Sequence, residues 1–408
     1  MRFLILSQYF PPETGAPPIR LASMIRELLK LGHTVEVVTA MPNYPTGKIF
    51  PNYQKHFYKL DDWEGVSVHR VWMYAAKGAG IKRLLNYFSF TLTASFGLKK
   101  AQKPDYLFVE SPPLFLGITG YLVAKLWKVP LIFNVADLWP DTISALGLMS
   151  EGLMLKLARR LEIWLYNKAN YITVVTSSVQ QILLDKKQVP ANKILLLPNG
   201  VDTKLFGKSK FKLAIDLPKD KIIILYAGTH GYAHGMEVVL QAAKLLIDTN
   251  VLFLCIGGGS DKQRIIQLSK DMKLNNVIFW DSQPPEFIAN LYNLAFAGIA
   301  TFRDSPLLEC TRPAKTLPIL ASGKPILFNG AGEGAKLVSA SQAGIVTAPG
   351  DYNALAKSIR KLISHPKYAI QLGLNGRKYA EQNLDWSIII ADWLKQLNME
   401  ESKKSSTY

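Results

Sequence analysis

The chain has 408 residues, of which 49% are hydrophobic and 19% charged, so it is not disordered and can form about two to three packed domains. Its two cysteines exclude a disulfide scaffold and fit a reducing compartment. The 48 basic and 31 acidic residues leave a net charge of +17, which favours an anionic partner: nucleic acid, an acidic membrane surface or a phosphorylated substrate.

The first half of the chain predicts the start of a parallel α/β sheet. Residues 2–7 form a short β-type run, a loop rich in proline and glycine follows, residues 19–31 have apolar side chains at helical spacing, and residues 33–40 alternate as a second strand. Further strands are predicted at 106–110, 131–135 and 171–175, with helices near 117–127 and 152–167.

No segment is predicted to direct secretion or to cross a membrane. The apolar start ends at Gln8 and is too short for the core of a signal peptide, so we expect a cytoplasmic protein. The uncharged stretches 84–98 and 111–124 fall short of the ~20 residues that a membrane-spanning helix needs.

Residues 77–103 combine cations with apolar and aromatic side chains, and no acid occurs between Gly65 and Pro104. This pattern is typical of a segment that docks on an anionic membrane surface. An ordinary core helix with solvated basic ends explains it as well, and the overall charge favours the membrane.

The same strand–loop–helix–strand pattern begins again after residue 220. Residues 221–227 form a β-type run, a loop with three glycines follows, residues 236–247 predict a helix and residues 251–256 a strand. Further strands are predicted at 277–280, 297–301 and 325–327.

We therefore expect two Rossmann-like, doubly wound α/β domains that face each other across a cleft, at residues 1–200 and 201–385. The turn-rich sequence 198–200 joins them, and a C-terminal helix of about 386–399 packs back on the first domain. Ligands of such sheets bind at the carboxyl ends of the strands, so the loops there are the places to look for function.

Three of these loops could meet a phosphate. The loop at Gly15 and the loop at Gly228 offer backbone amides, and Lys315 with Arg312 nearby offers positive charge. Neither loop fits a dinucleotide-binding or P-loop motif. Rigid turns and surface cations remain the alternative interpretation.

Seven short motifs are distributed over nearly the whole chain: 8–15 (QYFPPETG), 32–35 (GHTV), 41–45 (MPNYP), 137–141 (DLWPD), 198–202 (PNGVD), 323–325 (GKP) and 332–334 (GEG). Taken together they resemble the family 4 glycosyltransferases, and most closely the branch that builds bacterial surface polysaccharides, including fucosamine and colanic-acid type transferases. The resemblance implies a GT-B fold, a nucleotide-sugar donor held mainly by the second domain, retention of anomeric configuration, and no required metal or other cofactor.

The resemblance also implies roles for individual residues. It places Asp137 near the acceptor, where its carboxylate could take a hydroxyl proton, although a helix N-cap is an equal alternative. It makes Lys315 the fixed cation beside the departing diphosphate. The remaining donor-binding residues that it implies are Gly15, Gly228, Thr229, His230, Gly257, Gly258, Asp281, Ser282, Arg312, Glu333 and Gly334.

Three departures from the family pattern affect the donor site. Pro318 stands where the family has a glutamate that holds the ribose, and Glu309 is a possible substitute. His230 and His234 replace basic residues of the glycine-rich loop, which weakens its positive charge at neutral pH. Ala314 replaces a serine and removes one hydroxyl donor.

The leading hypothesis is a retaining glycosyltransferase that moves a sugar, either plain or N-acetylated, from a UDP-linked donor to a lipid-linked or saccharide acceptor. Residues 77–103 would hold it at the inner face of the cytoplasmic membrane, near an isoprenoid-diphosphate-linked acceptor. A nucleotide-sugar 2-epimerase and a non-catalytic scaffold with a degraded donor site are the alternatives. Nucleic-acid binding is not expected, because the cations are dispersed and no stacking motif is present.

Overall fold

The computed structural model describes residues 1–76, 80–145, 152–207, 217–218 and 220–405. The chain divides into two compact units. The first contains residues 1–199 and 389–408, and the second contains residues 200–388. Each unit is built on one sheet, and the second begins within the turn-rich 198–200 sequence.

The first unit contains an eight-stranded sheet in the order β3-β4-β2-β1-β5-β6-β7-β8. All neighbouring strands run parallel except β3 and β4, which form an antiparallel hairpin at one edge. The strands are β1 Arg2–Leu6, β2 Thr34–Ala40, β3 Tyr58–Trp63, β4 Val66–Val71, β5 Tyr106–Ser111, β6 Leu131–Val135, β7 Tyr171–Val174 and β8 Ile194–Leu196.

Three helices cover one face of this sheet. Gly97 contacts Val38, Gly120 contacts Val109 and Gly117 contacts Phe133, and the ring centroid of Tyr166, on a third helix, lies 6.2 Å from that of Phe133. Val38, Val109 and Phe133 are linked through register pairs of the sheet and therefore point to the same side. The helices of this unit are α1 Ala16–Lys30, α2 Ile81–Lys100, α3 Leu116–Trp127, α4 Asp141–Ala145, α5 Leu153–Lys168 and α6 Ser177–Asp185.

The C-terminal helix α14, Trp386–Ser405, packs on the opposite face of the first sheet. Trp393 is fully buried there, with ring centroids 5.9 Å from Phe3 and 6.1 Å from Phe108. Phe108 precedes Val109 in β5, and neighbouring strand residues point to opposite faces. The Gln396 side chain also pairs with both backbone groups of Leu196 in the edge strand β8, at 2.9 and 3.1 Å.

The second unit contains a six-stranded parallel sheet in the order β11-β10-β9-β12-β13-β14. Its strands are β9 Ile222–Ala227, β10 Val251–Ile256, β11 Val277–Trp280, β12 Ala297–Thr301, β13 Ile326–Asn329 and β14 Gly344–Thr347. Its helices are α7 Glu237–Leu245, α8 Lys262–Asp271, α9 Pro285–Leu294, α10 Thr316–Ala321, α11 Gly332–Ala340, α12 Tyr352–Ser364 and α13 Pro366–Asn383. Alternate strand residues bury their side chains in two apolar cores, one on each face.

The architecture confirms the predicted fold class, with two α/β units built on parallel sheets. Strands β1, β5, β6 and β7 lie within a residue of their predicted bounds. The sequence analysis missed the β3–β4 hairpin. In the part of the chain that the structure describes, no helix is both long and apolar enough to span a bilayer.

We predict that Trp393→Ala destabilises the first unit by about 3–5 kcal/mol, because the substitution leaves a cavity against Phe3 and Phe108. Hydrogen exchange followed by mass spectrometry should show faster exchange in β1 and β5 and unchanged exchange in β9 and β10. The control is Met399→Ala on the same helix, where the side chain is 53% exposed and the expected effect is within about 0.5 kcal/mol. Equal effects of the two substitutions would contradict the packing described here.

Candidate functional site

The loops that follow β9, β10, β11, β12 and β13 all lie at the carboxyl edge of the second sheet. The chain runs outward from β9 to β11 on one side and then continues with β12 on the other side of β9. The strand order therefore reverses between β9 and β12. A crevice forms outside the strand ends at such a point, and this is where open α/β sheets bind ligands.

The loops after β9 and β10 touch through their backbones. Gly257 has φ +149°, and a Cβ atom there would lie 1.9 Å from the carbonyl oxygen of Gly228. A Cβ atom at Gly259 would lie 2.3 Å from the carbonyl oxygen of His230. The amide of His230 donates to the carbonyl of Gly258 at 2.8 Å. Only glycine allows this approach, so both loops are held as one rigid rim beside the crevice.

Lys315 lies in the crevice between β9 and β12. Its ammonium group donates to the hydroxyl of Tyr226 on β9, and it lies 3.4 Å from the carbonyl oxygen of Thr229. The Lys315 side chain also contacts Gly228, whose Cβ position is 3.2 Å from Cε. Burial holds the pKa of Lys315 well below its ordinary value. Among the described residues, no carboxylate pairs with Lys315, so a bound anion would supply the negative charge opposite its ammonium group.

Lys262 was missed by the sequence analysis. It stands at the start of α8 and is buried, and its ammonium group donates to the carbonyls of Gly257 at 2.8 Å and Trp280 at 2.9 Å. It also pairs with Asp281 at 2.6 Å, and this bond lowers the pKa of the Asp281 carboxyl. Lys262 thus ties the ends of β10 and β11 together. Gly257 belongs to the loop that leads into α8, whereas Trp280 and Asp281 lie at the end of β11, 18 and 19 residues further along the chain, so the sequence pattern around Lys262 did not reveal these contacts.

Asp281 and Ser282 lie beside the loop that contains Gly258, and all three are among the donor-binding residues that the resemblance implies. The Asp281 side chain is 95% exposed, so its outer oxygen is open to a ligand. The hydroxyl of Ser282 lies 3.2 Å from the Cβ position of Gly258. The structure therefore brings together Gly257, Gly258, Asp281 and Ser282, with Lys262 behind them.

His230 and His234 differ from the expectation of partly charged loop residues. The His230 side chain is fully buried, with its ring centroid 5.4 Å from Tyr226 and 6.2 Å from Phe279. Burial, together with Lys315, lowers the pKa of His230 to about 4 and that of His234 to about 2. Both imidazoles are neutral at pH 7, so this loop offers backbone amides and no side-chain charge.

Arg312 and Glu333 face each other after β12 and β13, with Nη2 and Oε2 separated by 3.7 Å. Glu333 is buried in the first turn of α11, and its other oxygen lies 3.8 Å from Lys336. The Nε of Arg312 is buried and has no hydrogen-bond partner among the described residues. The pair therefore places a largely buried cation in the loop that follows β12.

Gly334 is explained by packing. A Cβ atom there would lie 2.3 Å from the ring of Phe328. Gly332 has φ +66°, and a Cβ atom there would lie 2.0 Å from the carbonyl oxygen of Glu309. Glu309 thus sits beside the start of α11, and Pro318 lies in the first turn of α10, where proline is tolerated. That Glu309 substitutes for the ribose-binding glutamate stays a prediction.

In the first unit, the two predicted site residues lie in separate loops. Gly15 caps α1 with φ +154°, and its Cβ position lies 3.5 Å from the ring of Tyr44 and 3.9 Å from Cδ of Pro18. Asp137 follows β6 and accepts a hydrogen bond from the Thr142 hydroxyl at 2.8 Å. Burial raises the pKa of Asp137, so its carboxyl group holds a proton more readily than an exposed aspartate does.

A buried polar chain crosses the first sheet near its carboxyl edge. Arg20 of α1 forms an ion pair with Glu110 at the end of β5. Glu110 accepts from Asn134 at 2.8 Å, and Asn134 accepts from Thr173 at 2.6 Å. This chain links α1 to three strands beside the strand-order reversal between β1 and β5. The sequence analysis missed it, because its members lie up to 153 residues apart and join only in the folded sheet.

Comparison with known proteins decides the family. The glycosyl transferase 4-like domain model matches residues 15–200, and the model of glycosyl transferases group 1 matches residues 208–379. The chain is a GT-B glycosyltransferase. It is 26% identical over 413 residues to the putative colanic acid biosynthesis glycosyl transferase WcaI of Escherichia coli K12, with 97% of this chain and 100% of that protein covered.

Solved structures share the fold of this glycosyltransferase. Sucrose-phosphate synthase from Thermosynechococcus elongatus matches with a TM-score of 0.76 at 17% identity, covering 100% of both chains. HepE from Anabaena, solved in complex with UDP, matches with a TM-score of 0.70 at 17% identity, covering 98% of this chain and 100% of HepE. Within the described residues, no cluster of three or more histidine, cysteine, aspartate or glutamate side chains could hold a metal ion.

We predict that Lys315→Met lowers the transfer rate by at least ~10²-fold, the cost of losing one fixed donor to a transition-state anion. The same substitution should raise the melting temperature of the glycosyltransferase at pH 7. Because the Lys315 pKa is lowered in the fold, the folded chain binds fewer protons there than the unfolded chain, and the group costs stability at any pH below its ordinary pKa. A fall in melting temperature would show that the ammonium group stabilises the empty site.

We predict that Lys262→Met raises the KM for the sugar donor about tenfold and changes kcat less, because the loops it ties would bind substrate and transition state alike. Steady-state kinetics with varied donor concentration measures both constants. Lys270→Met is the matched control, since Lys270 is exposed on the same helix. A kcat loss without a change in KM would instead place Lys262 in the chemical step.

Proposed function

We propose that this glycosyltransferase transfers a sugar, either plain or N-acetylated, from a UDP-linked donor to an isoprenoid-diphosphate-linked acceptor, with retention of configuration. The product would serve the synthesis of a bacterial surface polysaccharide. In the transfer, a bond forms between the acceptor oxygen and the anomeric carbon on the face from which the diphosphate leaves. The diphosphate takes the electron pair of the broken bond, and one of its phosphate oxygens takes the acceptor proton.

The observation that carries this proposal is the arrangement of Lys315 and the glycine loops at the strand-order reversal of the second sheet. A buried ammonium group, for which the described residues provide no carboxylate partner, lies against the backbone of Gly228 and Thr229. Diphosphate oxygens are the complementary ligand, because they accept from amides and ammonium groups and restore the missing counter-charge. The loop at Gly257 and Gly258, with Asp281 and Ser282 beside it, would hold the nucleoside.

The relatives support UDP as the donor nucleotide and surface polysaccharide synthesis as the pathway class. HepE was solved in complex with UDP, which supports UDP as the nucleotide here. WcaI is described as a putative colanic acid biosynthesis enzyme, and a 24% identical protein of Staphylococcus aureus is described as a capsular polysaccharide biosynthesis glycosyltransferase. Both descriptions support an acceptor that belongs to surface polysaccharide synthesis.

In this proposal the first unit binds the acceptor. Asp137 would accept the hydrogen bond of the attacking hydroxyl, and Gly15 would let the donor diphosphate approach the start of α1. The cations within residues 77–103, of which Lys77 lies outside the described residues, would hold the enzyme at the inner face of the cytoplasmic membrane. A lipid-linked acceptor would be within reach there.

The proposal is tested by donor binding followed by transfer. Among UDP, GDP, CDP and TDP, we expect UDP to stabilise the protein most, with a gain of ~2.7 kcal/mol at one hundred times its dissociation constant. A panel of UDP-sugars is then compared in the same assay, and the sugar whose donor stabilises the protein most beyond UDP itself is identified as the one transferred. Transfer to a synthetic isoprenoid-diphosphate sugar, with the anomeric product determined by NMR, completes the test.

Three outcomes would contradict the proposal. Isomerised donor in the absence of acceptor would support a 2-epimerase. No stabilisation by any nucleotide would support a scaffold whose donor site is lost through Pro318. An inverted product would leave a transferase with a different mechanism. Glu309→Gln tests the ribose role separately, because it should weaken UDP binding about tenfold only if that carboxylate replaces the missing glutamate.

Donor binding should also take up protons. The Lys315 pKa is lowered in the empty site, and a bound diphosphate would raise it, so affinity for a UDP-sugar should fall as pH rises through the lowered pKa. Calorimetry in buffers of different ionisation enthalpy, near pH 8, measures the uptake, since the diphosphate of a UDP-sugar does not titrate there. Lys315→Met should remove the uptake, and an unchanged uptake would assign it to another group.

A further inference from the structure

Helix α2 has an apolar stripe on its solvent side. Ile81, Leu85, Phe88, Leu92 and Phe96 follow one another at spacings of three or four residues, so they lie along one face of the helix. All five are exposed, Ile81 by 77% and Leu92 by 73%. The other side of the helix is buried against the sheet. The core-helix interpretation therefore explains only one side of α2.

Helices α3 and α5 extend this apolar surface. On α3, Leu122 and Leu126 are exposed, the latter by 78%, and on α5 the exposed apolar residues include Leu157 and Trp164. The three helices are direct neighbours on one face of the first sheet. The ring centroids of Phe88 on α2 and Phe115, the residue before α3, lie 4.3 Å apart. Those of Tyr121 on α3 and Trp164 on α5 lie 5.0 Å apart. We name the solvent side of α2, α3 and α5 the three-helix face.

The charges of the three-helix face have one sign. All residues of the three helices are described, and Glu162 is their only acid; it is fully buried and paired with Lys187. The exposed charged residues on these helices are Lys82, Lys99, Lys100, Lys125, Lys156, Arg160 and Lys168. An apolar centre surrounded by cations, without exposed carboxylates, is complementary to anionic headgroups over an acyl layer.

We propose that the three-helix face is a docking surface for an anionic lipid bilayer, into which the side chains on α2, α3 and α5 insert together. Insertion of apolar side chains from several helices distinguishes this inference from electrostatic attachment through residues 77–103 alone. The inference extends the membrane attachment suggested under the proposed function. It rests on that function only for the position of the acceptor.

A bilayer fits this face better than a second copy of the chain. Two such faces brought together would place like charges opposite each other, and that arrangement is unfavourable. A lipid surface supplies anionic groups at every position and adapts to the uneven apolar ridge. The helices would lie in the plane of the interface.

Flotation of the full chain with vesicles tests the proposal. We expect strong binding to phosphatidylcholine–phosphatidylglycerol vesicles and weak binding to phosphatidylcholine alone. Leu126→Glu on α3 and Leu157→Glu on α5 should each lower the partition coefficient at least ~10-fold, as Leu92→Glu on α2 should. Some binding should survive about 1 M NaCl, where the Debye length is only roughly 3 Å.

The matched control is Ile370→Glu, which changes a 63% exposed side chain on α13 of the second unit and should leave binding unchanged. Calorimetry with UDP separates this inference from the proposed function, because the face variants should bind UDP as the unmodified protein does. Loss of binding in Leu92→Glu with full binding in the α3 and α5 variants would overturn the three-helix face. Complete release by salt, or a dimer in solution that Leu126→Glu dissociates, would overturn it as well.

Discussion

The contact between two glycine loops determines the geometry of the candidate donor site. Where Gly257 meets Gly228, a side-chain carbon would lie 1.9 Å from a carbonyl oxygen, so the chain can close here only without side chains. This contact fixes the ends of β9 and β10 at one separation and places the Gly228 backbone against Lys315. The buried ammonium group is tolerable because Tyr226 and Thr229 satisfy part of its hydrogen bonding. Burial still lowers the pKa of Lys315, and a bound anion would offset the cost of holding a positive charge there.

Much of the fold could be predicted because parallel strands buried on both sides appear in the sequence as short apolar runs. The β3–β4 hairpin could not be predicted so simply. Asp61 and Asp62 lie within β3, and aspartate is unfavourable in strands. The turn uses Glu64 and Gly65, both at positive φ, and glutamate at the first of these positions is unusual. The strand accommodates Asp61 because its carboxylate pairs with the buried Arg70, a contact made across the hairpin.

The candidate site divides in the same way. Lys315 and the glycine loops were found because short motifs carry them, and the structure brings the loops of the second unit to one sheet edge. The Arg20–Glu110 pair was missed because its members lie 90 residues apart, and Lys262 was missed because it reaches the end of the next strand, 18 residues along the chain; both contacts form only in the folded sheet. The charge state of His230 could not be inferred from the sequence, since the burial that keeps it neutral is a property of the folded interior.

The position of Lys262 has an evolutionary consequence for this rim. It reaches the β10 loop through the backbone carbonyl of Gly257, whereas on the β11 side it binds both the carbonyl of Trp280 and the side chain of Asp281. Every residue type has a backbone carbonyl, so substitutions elsewhere in the β10 loop leave this partner of Lys262 in place. Exposed positions such as Asp281 can change without disturbing the glycine contact. The rim can therefore keep its backbone geometry while the side chains that face the solvent vary.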